Sequence, residues 1–310
     1  MSEILVTQDQ LFRICQKHRL KWQEPEELLR TGIVNHAIAV GDVVIRIPCD
    51  PEWAQDDAKT EAVAVPPIMA SPVRTPELLV FDSELDILPT VYTIYRRVAG
   101  RSLYLLLDDP TAIDAASFHI GQELRALHQS VLSVPDPHGW LDEHGYPETV
   151  RFIQESVDNG SLDSENASWI LTWHESLVER GRSILEKRVF CHGDLHESNV
   201  LVEDDQSVWI IDWGDAGWAD PSMDFGYMHP SSWPAALRGY GPVDDESAWM
   251  AAIVCRALER AVGRLASGLQ APVIGNAMLT KLLRLLRFFV AAPNAWGAVA
   301  PPPFPVVKSL

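Results

Sequence analysis

One short stretch of the chain constrains its fold and chemistry more than any other. It begins at His192-Gly193-Asp194, places Asn199 five positions after the aspartate, and reaches Asp212-Trp213-Gly214 thirteen positions after the asparagine. Between them, residues 200–202 and 208–211 are apolar and flank an acidic turn, which predicts two short strands. A strand–turn–strand here would return Asp212 to the neighbourhood of Asn199.

These residue types at this spacing indicate phosphoryl transfer. The pattern H-x-D-x-x-x-x-N followed by D-x-G is typical of a kinase catalytic loop and its metal-binding aspartate. Phosphoryl transfer depends mostly on positioning and charge neutralisation, so one carboxylate must accept or orient the proton of the incoming hydroxyl. An asparagine carbonyl and an aspartate carboxylate are hard oxygen ligands, suited to holding Mg²⁺ against phosphates.

The segment VFCHGDLHESNVLVEDDQSVWIIDWGDAGWADPSMDFGYM resembles the core of the aminoglycoside phosphotransferase family, which is related to the protein kinases. The resemblance extends along most of the chain and is looser in the N-terminal part. It implies an ATP- or GTP-dependent kinase in which Asp194 is the catalytic, base-like residue. It also implies that Asn199 and Asp212 bind magnesium.

The same resemblance gives a structural role to residues on both sides of the catalytic aspartate. It makes Asp220-Pro221 and Asp224 an element that packs behind the catalytic loop, since buried carboxylates of this kind accept backbone N–H bonds that stiffen a loop. It also makes His192 a residue that orders the loop through hydrogen bonds from its ring to the backbone.

Periodicity along the chain predicts a bilobal α+β fold of the protein-kinase kind. We expect a small antiparallel sheet with one helix in residues 1–95, a hinge at 96–100 and a larger, mainly helical lobe in 101–310. Residues 31–48 read as two strands joined at Gly41-Asp42, and residues 78–98 as two more. A helix between these pairs is expected to end at Pro66-Pro67. Further helices are predicted at 7–20, 111–130, 164–187, 244–267 and 277–292.

The N-terminal lobe contains candidates for holding a nucleotide. Arg46 is the one basic residue in the apolar strand 43–48, where a kinase has a lysine that pairs with phosphates and with a helix glutamate. Arginine also suits phosphate, and Glu61 in the next helix is its natural partner. The alternative is an outward-facing arginine paired with a surface carboxylate.

Two other parts of the nucleotide site are less distinct. The segment of Tyr95, Arg96 and Val98 should form the last strand and the hinge, where main-chain groups would meet the adenine edge. No G-x-G-x-x-G is present; only Gly32 and Gly41 flank the first hairpin around Val34-Asn35-His36. Ordinary turn glycines explain that hairpin equally well.

The acceptor is expected to be a small molecule with a hydroxyl group. Residues 136–165 hold eight carboxylates and one basic residue, Arg151. In the resembling family this region helps to form the acceptor site, and a cleft of one charge sign concentrates the opposite sign. This favours a cationic antibiotic, an aminoglycoside or a tuberactinomycin-type peptide. A solvated acidic face, a choline- or sugar-like metabolite and a macrolide remain open. The carboxylates are Asp136, Asp142, Glu143, Glu148, Glu155, Asp158, Asp163 and Glu165, with more at Asp215, Asp244, Asp245 and Glu246.

Composition bears on the partners and the compartment. A formal net charge of −18 over 310 residues disfavours nucleic acids and anionic membrane surfaces as partners. The four cysteines form no CxxC pair, and no signal peptide or uninterrupted apolar span is recognised, so a cytoplasmic protein is expected. The sequence gives no indication of the oligomeric state.

Three other functions compete with a small-molecule kinase. His192 and His196 flank Asp194, as in some metal hydrolases, but that interpretation leaves Asn199 and Asp212 unexplained. A binding protein of kinase fold without turnover is a second alternative. A protein kinase is disfavoured, because little room for an activation segment separates Gly214 from Asp220-Pro221.

The nearby Trp213, Trp218 and Trp233 either line a pocket or belong to the core.

Overall fold

The computed structural model describes residues 6–28, 35–50, 55–267, 279–291 and 294–304. In its N-terminal part a five-stranded antiparallel sheet has the order β1-β2-β3-β5-β4. The predicted hairpin is present, with Val40 paired to Val43 across a two-residue turn in which Gly41 has a φ of 63°. Residues 31–34, where we expected the first strand to begin, lie outside the described residues. The strands are β1 (Glu26–Glu27), β2 (Asn35–Val40), β3 (Val43–Pro48), β4 (Leu78–Asp82) and β5 (Tyr92–Arg96).

Two helices accompany this sheet, α1 (Gln8–Lys17) and α2 (Gln55–Met69). Thr7 caps α1 in a capping box with Gln10, as the polar start of that segment indicates. The prediction that the second helix ends at Pro66-Pro67 is wrong, because α2 continues through both prolines to Met69. Both prolines lie in its last turn, so the hydrogen bonds that their N–H groups would make four residues earlier are missing, and the helix extends only two residues beyond them.

The C-terminal part is mainly helical and contains the larger core. The predicted helices at 111–130, 164–187 and 244–267 are confirmed within a few residues at each end. The helix predicted at 277–292 begins at Thr280, and residues 277, 278 and 292 lie outside the described part. The helices are α3 (Pro110–Ser130), α4 (Thr149–Asp158), α5 (Ser164–Leu185), α6 (Ser222–Tyr227), α7 (Trp233–Tyr240), α8 (Glu246–Ala266) and α9 (Thr280–Ala291).

Helix α8 lies at the centre of this part. Fourteen of its residues are buried, and it packs against α4, α5, α6 and α9. The C-terminal turns of α2 join the same core through Ala64, Val65 and Ile68, so the helix of the smaller lobe is anchored on the larger one. Among the helices described, none combines the length and apolarity that crossing a membrane requires.

Two three-stranded sheets present the loops of the candidate site. Strands β9 and β10 form the predicted hairpin, with Val200 opposite Ile210, and β6 pairs with β9. In the second sheet β11 pairs with β7 on one side and with β8 on the other. The strands are β6 (Arg101–Ser102), β7 (Asp142–Glu143), β8 (Val189–Cys191), β9 (Val200–Val202), β10 (Val208–Ile210) and β11 (Gly217–Ala219).

Candidate active site

The loop that carries Asp194 leaves the end of β8 and is held from behind by a buried carboxylate. Asp224 has no exposed surface and accepts hydrogen bonds from the backbone N–H of His192 at 3.1 Å and of Gly193 at 3.0 Å. The His128 ring lies 3.2 Å from the same carboxylate. The expected structural role of Asp224 therefore matches its contacts: two donors and a ring fix the loop just before Asp194.

His192 orders the loop from within. Its Nε2 lies 2.9 Å from the Ile211 carbonyl, and its Nδ1 accepts from the backbone N–H of Asp194 at 3.2 Å. A carbonyl can only accept, so Nε2 carries the proton and the ring is the neutral Nε2–H tautomer. Both ring nitrogens are thereby occupied, which leaves no lone pair for a metal ion and removes the basis of the hydrolase alternative.

Asn199 and Asp212 are brought together by the β9–β10 hairpin. The N–H of Ile211 donates to the Asn199 carbonyl at 3.0 Å, which places Asp212 beside the asparagine. The Asn199 side-chain amide donates to the Asp194 carbonyl at 3.0 Å, so its Nδ2 is engaged and its Oδ1 is directed elsewhere. Asp212 has a φ of 68°, a left-handed conformation that aspartate tolerates better than most residues.

Two glycines are required by close approaches at the site. Gly193 has a φ of 87°, and a Cβ there would lie 1.9 Å from the Asp215 carbonyl oxygen. A Cβ on Gly214 would lie 2.7 Å from the Cβ of Asp57 on α2. The glycines of H-G-D and D-W-G thus allow the catalytic loop, the segment after β10 and α2 to pack together.

Arg46 occupies the place expected of the phosphate-binding basic residue. Its Nη1 pairs with Glu61 Oε1, and its Nη2 lies 2.5 Å from Asp212 Oδ1. Glu61 is buried and also accepts from the Tyr95 hydroxyl at 2.9 Å. The pairing of Arg46 with Glu61 follows the prediction, and the alternative of an outward-facing arginine does not agree with these contacts.

The carboxylates around this point suit a divalent cation. Burial and the neighbouring Asp212 and Asp215 carboxylates raise the pKa of Asp57 to about 8. Partial burial and the carboxylates of Asp194, Asp212 and Asp142 raise the pKa of Asp215 to about 6. Mutual repulsion among hard oxygen ligands is relieved by a bound cation. The donors present therefore fit magnesium, with Asn199 and Asp212 as the expected ligands.

The three predicted hinge residues occupy different environments. The hydroxyl of Tyr95 is directed at Glu61, and the N–H of Arg96 donates to the Glu77 carbonyl at 2.8 Å. The exposed Arg96 side chain pairs with Asp42 at 2.7 Å. Val98 follows the end of β5 and is half-buried. A role of these residues in binding the adenine edge stays a prediction. Gly32 and Val34 of the phosphate-covering turn lie outside the described residues.

Asp194 is surrounded by basic groups that keep it ionised. Burial opposes ionisation, but the His196 ring at 3.3 Å and the Arg260 guanidinium at 3.6 Å lower the pKa of Asp194 below its usual value. Arg260 also stacks on the Tyr227 ring, 3.3 Å from its centroid. A carboxylate of lowered pKa is a weak base, suited to orienting a hydroxyl proton.

A cavity of about 980 Å³ opens beside Asp194. Its lining combines both charge signs: the carboxylates come from β7, α8 and the loops, and the basic side chains come from α8 and α9. Sequence analysis missed Tyr227, Arg260, Arg264 and Lys281. The spacing of Arg256, Arg260 and Arg264 predicts a shared helix face, but only packing reveals that the face borders this cavity. The charged lining residues are Glu143, Glu148, Asp194, Asp215, Arg256, Glu259, Arg260, Arg264 and Lys281.

Most of the acidic stretch 136–165 has other roles. Of its eight carboxylates, only Glu143 and Glu148 line the cavity, and they pair with Arg188 and Arg151. Asp136 accepts from two backbone N–H groups of a turn, and Asp163 caps α5. The carboxylate at the cavity for which the described structure shows no side-chain partner is Asp215, which lies outside this stretch.

The tryptophans near the motif belong to the core. Trp213 and Trp233 are 1% and 0% exposed, and their indole N–H groups donate to Thr75 and to the Phe225 carbonyl. Trp218 packs edge-on against Phe190. None of the three is among the residues that line the cavity.

The two-lobed fold, the clamped H-G-D loop and the paired Arg46, Glu61 and Asp212 give the chain a protein-kinase-like architecture. The chain belongs to the phosphotransferase enzyme family (APH), whose family model matches residues 28–268. The family predicted from the catalytic segment is thereby confirmed.

Individual relatives agree with this family. An aminoglycoside 3'-phosphotransferase from Acinetobacter baumannii is 26% identical over 129 residues, which are 37% of this chain and 49% of that protein. The chain thus spans about half the length of this curated relative. Among solved structures, a choline/ethanolamine kinase family protein from Mesorhizobium loti has a TM-score of 0.63 at 19% identity, covering 89% of this chain and 92% of the other.

A second solved structure has a comparable fold. The GDP complex of wild-type aminoglycoside 2'-phosphotransferase-IIIa has a TM-score of 0.61 at 20% identity. The similarity covers 91% of this chain and 100% of the other. At these identities the similarity establishes the bilobal α+β fold of kinases that was predicted from the sequence.

Proposed function

We propose that the protein transfers the γ-phosphoryl group of ATP or GTP to a hydroxyl of a small molecule. The observation that carries this proposal is the convergence of Asp194, Asn199, Asp212 and Arg46 from three segments of the chain. The Asn199 amide bonds to the Asp194 carbonyl, the Ile211 N–H bonds to the Asn199 carbonyl, and Arg46 pairs with Asp212. Each has the chemistry that phosphoryl transfer requires, and the loop between them is held rigid.

Asp194 orients the acceptor hydroxyl. Its lowered pKa keeps the carboxylate charged near neutral pH, so it accepts a hydrogen bond from the hydroxyl and receives the proton late in the transfer. Its backbone N–H bond to His192 and its carbonyl bond from Asn199 set the position of the carboxylate. The loose transition state of phosphoryl transfer demands such positioning more than strong basicity.

Asn199 and Asp212 would hold Mg²⁺, which when bound neutralises charge on the phosphate oxygens. Arg46 would leave part of its contact with Asp212 to pair with the α- and β-phosphates, while Glu61 keeps its guanidinium aligned. Asp57, which packs against Gly214, has a pKa raised to about 8 and would lose its proton when a cation binds beside it.

The acceptor is proposed to carry an amino group as well as the hydroxyl. Asp215 offers a carboxylate at the cavity with no side-chain partner among the described residues, and it lies close to Asp194. An ammonium beside it would relieve the repulsion that raises its pKa. Cationic antibiotics, aminoglycosides or tuberactinomycin-type peptides, are one class with this chemistry.

A metabolite amino alcohol is the second candidate. It is favoured by the fold similarity to the choline/ethanolamine kinase family protein, since such an acceptor also joins a hydroxyl to a cationic nitrogen. A cavity of about 980 Å³ could accommodate either class.

An ADP-release assay with MgATP or MgGTP tests both candidates. Aminoglycosides, tuberactinomycins, macrolides and simple amino alcohols would each be added to the full-length protein, and product phosphorylation confirmed by mass spectrometry. Stimulation by one class identifies the acceptor. Nucleotide binding without stimulation by any of them would favour a non-catalytic binding protein.

A further inference from the structure

Part of the cavity lining next to Asp194 is basic. Arg260 and Arg264 lie one turn apart on the same face of α8, and Lys281 lies in the first turn of α9. Residues four apart on a helix are neighbours on its surface, so the two arginines border one space. Three basic side chains thus face the same cavity in which Asp215 is proposed to bind the amino group of the acceptor.

These charges are only partly compensated by the protein. The fourth basic residue of the lining, Arg256, is paired with Asp220 and with Glu259 at 2.9 Å. Arg260 has Asp194 at 3.6 Å. For the side chains of Arg264 and Lys281, the described ranges show no hydrogen bond or ion pair. Residues 268–278, which join α8 to α9, contain no aspartate or glutamate in the sequence.

The environment of Lys281 reflects this excess of positive charge. Burial and the nearby Arg260, Arg264 and Arg284 lower the pKa of Lys281 to about 7, although Asp194 acts in the opposite direction. A partly buried ammonium without a partner is unfavourable, and an anion bound between these side chains would remove the penalty.

The nucleotide is not the natural source of that anion. The lining shares Asp194 with the proposed phosphoryl-transfer site but includes none of Arg46, Asn199 and Asp212. The basic side chains therefore border the space on the acceptor side of Asp194.

We propose, building on the proposed function, that Arg260, Arg264 and Lys281 form a subsite for an oxyanion of the acceptor, a carboxylate or a phosphate. The acceptor is then amphoteric: a hydroxyl at Asp194, an amino group at Asp215 and an anionic group at the basic subsite. A purely cationic alcohol would leave the three basic side chains without an anionic partner.

Isothermal titration calorimetry on the full-length protein loaded with MgADP tests this subsite. The first pair is ethanolamine and serine, which adds a carboxylate, and the second is 3-aminopropan-1-ol and homoserine, which differ by one carboxylate. A third pair is 2-aminopropane-1,3-diol and its monophosphate ester, which adds a phosphate and keeps one hydroxyl. We expect at least one anionic member to bind about tenfold or more tightly than its parent, a difference of about 1.4 kcal/mol. The serine pair and the monophosphate pair distinguish a carboxylate from a phosphate as the bound oxyanion.

Variants localise the effect. Lys281→Met and Arg264→Gln should remove most of the preference for the anionic member, while Arg287→Gln, an exposed arginine on α9 outside the cavity, should preserve it. The affinity for MgADP should be unchanged in all three. Equal binding within every set, no binding of any anionic member, or loss of MgADP affinity in Lys281→Met would each overturn the subsite.

The subsite and the proposed reaction can fail separately. Asp194→Asn should keep the preference for the anionic member and lose turnover. If wild-type protein discriminates anions but phosphorylates no acceptor, the reaction is wrong and the subsite stands. If it phosphorylates an acceptor without anion discrimination, the subsite is wrong and the reaction stands.

Discussion

Arg46 and Asp212 are separated by 166 positions in the chain, and their side chains form an ion pair with Nη2 and Oδ1 2.5 Å apart. One residue comes from the β3 strand of the smaller lobe and the other from the segment after β10 in the larger one. The pair therefore joins the residue proposed to hold phosphates to the residue proposed to hold their metal ion.

Replacing Arg46 should raise the KM for ATP more than it lowers kcat. Arg46→Ala removes charged hydrogen bonds worth roughly 1.5–3 kcal/mol, so the KM for ATP should rise about 10- to 100-fold. Arg46→Lys keeps the charge and should restore part of the loss, and Arg13→Ala on the exposed face of α1 is the control. An unchanged KM for ATP in Arg46→Ala would remove Arg46 from the nucleotide site.

The glycine before the catalytic aspartate should tolerate no side chain. Gly193→Ala adds a Cβ at 1.9 Å from the Asp215 carbonyl oxygen, whereas Gly160 has a similar φ of 77° with nothing within 4 Å. Gly160→Ala should cost about 1–2 kcal/mol of stability from its backbone conformation alone. Gly193→Ala should lower Tm further and reduce kcat. Similar Tm values for the two variants would mean that the loop accommodates the methyl group.

The clamp behind the loop should make stability depend on pH. Burial opposes ionisation of Asp224, but the His128 ring and the backbone N–H groups of the loop lower its pKa below the usual value. Its folded-state pKa is thus below the unfolded one. The stabilisation is present above about pH 4 and is lost as the pH falls through the lowered pKa.

Asp224→Asn tests that clamp directly. The change turns one acceptor of the loop N–H groups into a donor, so we expect a loss of about 2–4 kcal/mol in the free energy of unfolding and a lower kcat. The acid-induced loss of stability below about pH 4 should also flatten. Urea unfolding at several pH values measures both effects, and an unchanged pH profile would contradict the role given to Asp224.

Binding of an anionic acceptor should weaken as Lys281 loses its proton. The groups that face it are Arg260 and Arg264 on α8, Arg284 on α9 and Asp194 on the catalytic loop, and they leave its pKa at about 7. Between pH 6 and 8 the affinity for serine or for the monophosphate of 2-aminopropane-1,3-diol should fall by up to about tenfold. Lys281→Met should show a flat profile over the same range by calorimetry.

Much of the candidate site is predictable from the sequence because its chemistry is concentrated in short, contiguous patterns. The spacing of Asp194, Asn199 and Asp212 predicts their roles. Arg46 and Glu61 are predicted because one is the only basic residue in its strand and the other is an acidic residue in the next helix. The end of α2 was predicted wrongly. The rule that proline ends a helix does not say whether the helix stops at the proline or, as here, a few residues after it.

The acceptor side could not be predicted in the same way. Its charged groups come from α8, α9 and the loop around Asp215, and what they face is decided by helix packing over long distances in the chain. A stretch rich in carboxylates such as 136–165 carries no signal of which members cap a helix, pair with an arginine or reach a cavity. Composition therefore indicates a charge, and packing determines where it acts.

The most direct test of the central claim is ADP release by wild-type protein and Asp194→Asn, with MgATP, across cationic and amphoteric hydroxyl compounds. Asp194→Asn leaves Asn199, Asp212 and Arg46 in place, so nucleotide affinity should be within about twofold of wild type while acceptor-dependent turnover falls by about 10³-fold or more. Turnover in Asp194→Asn close to that of the wild type would contradict the assignment of Asp194 and with it the proposed reaction.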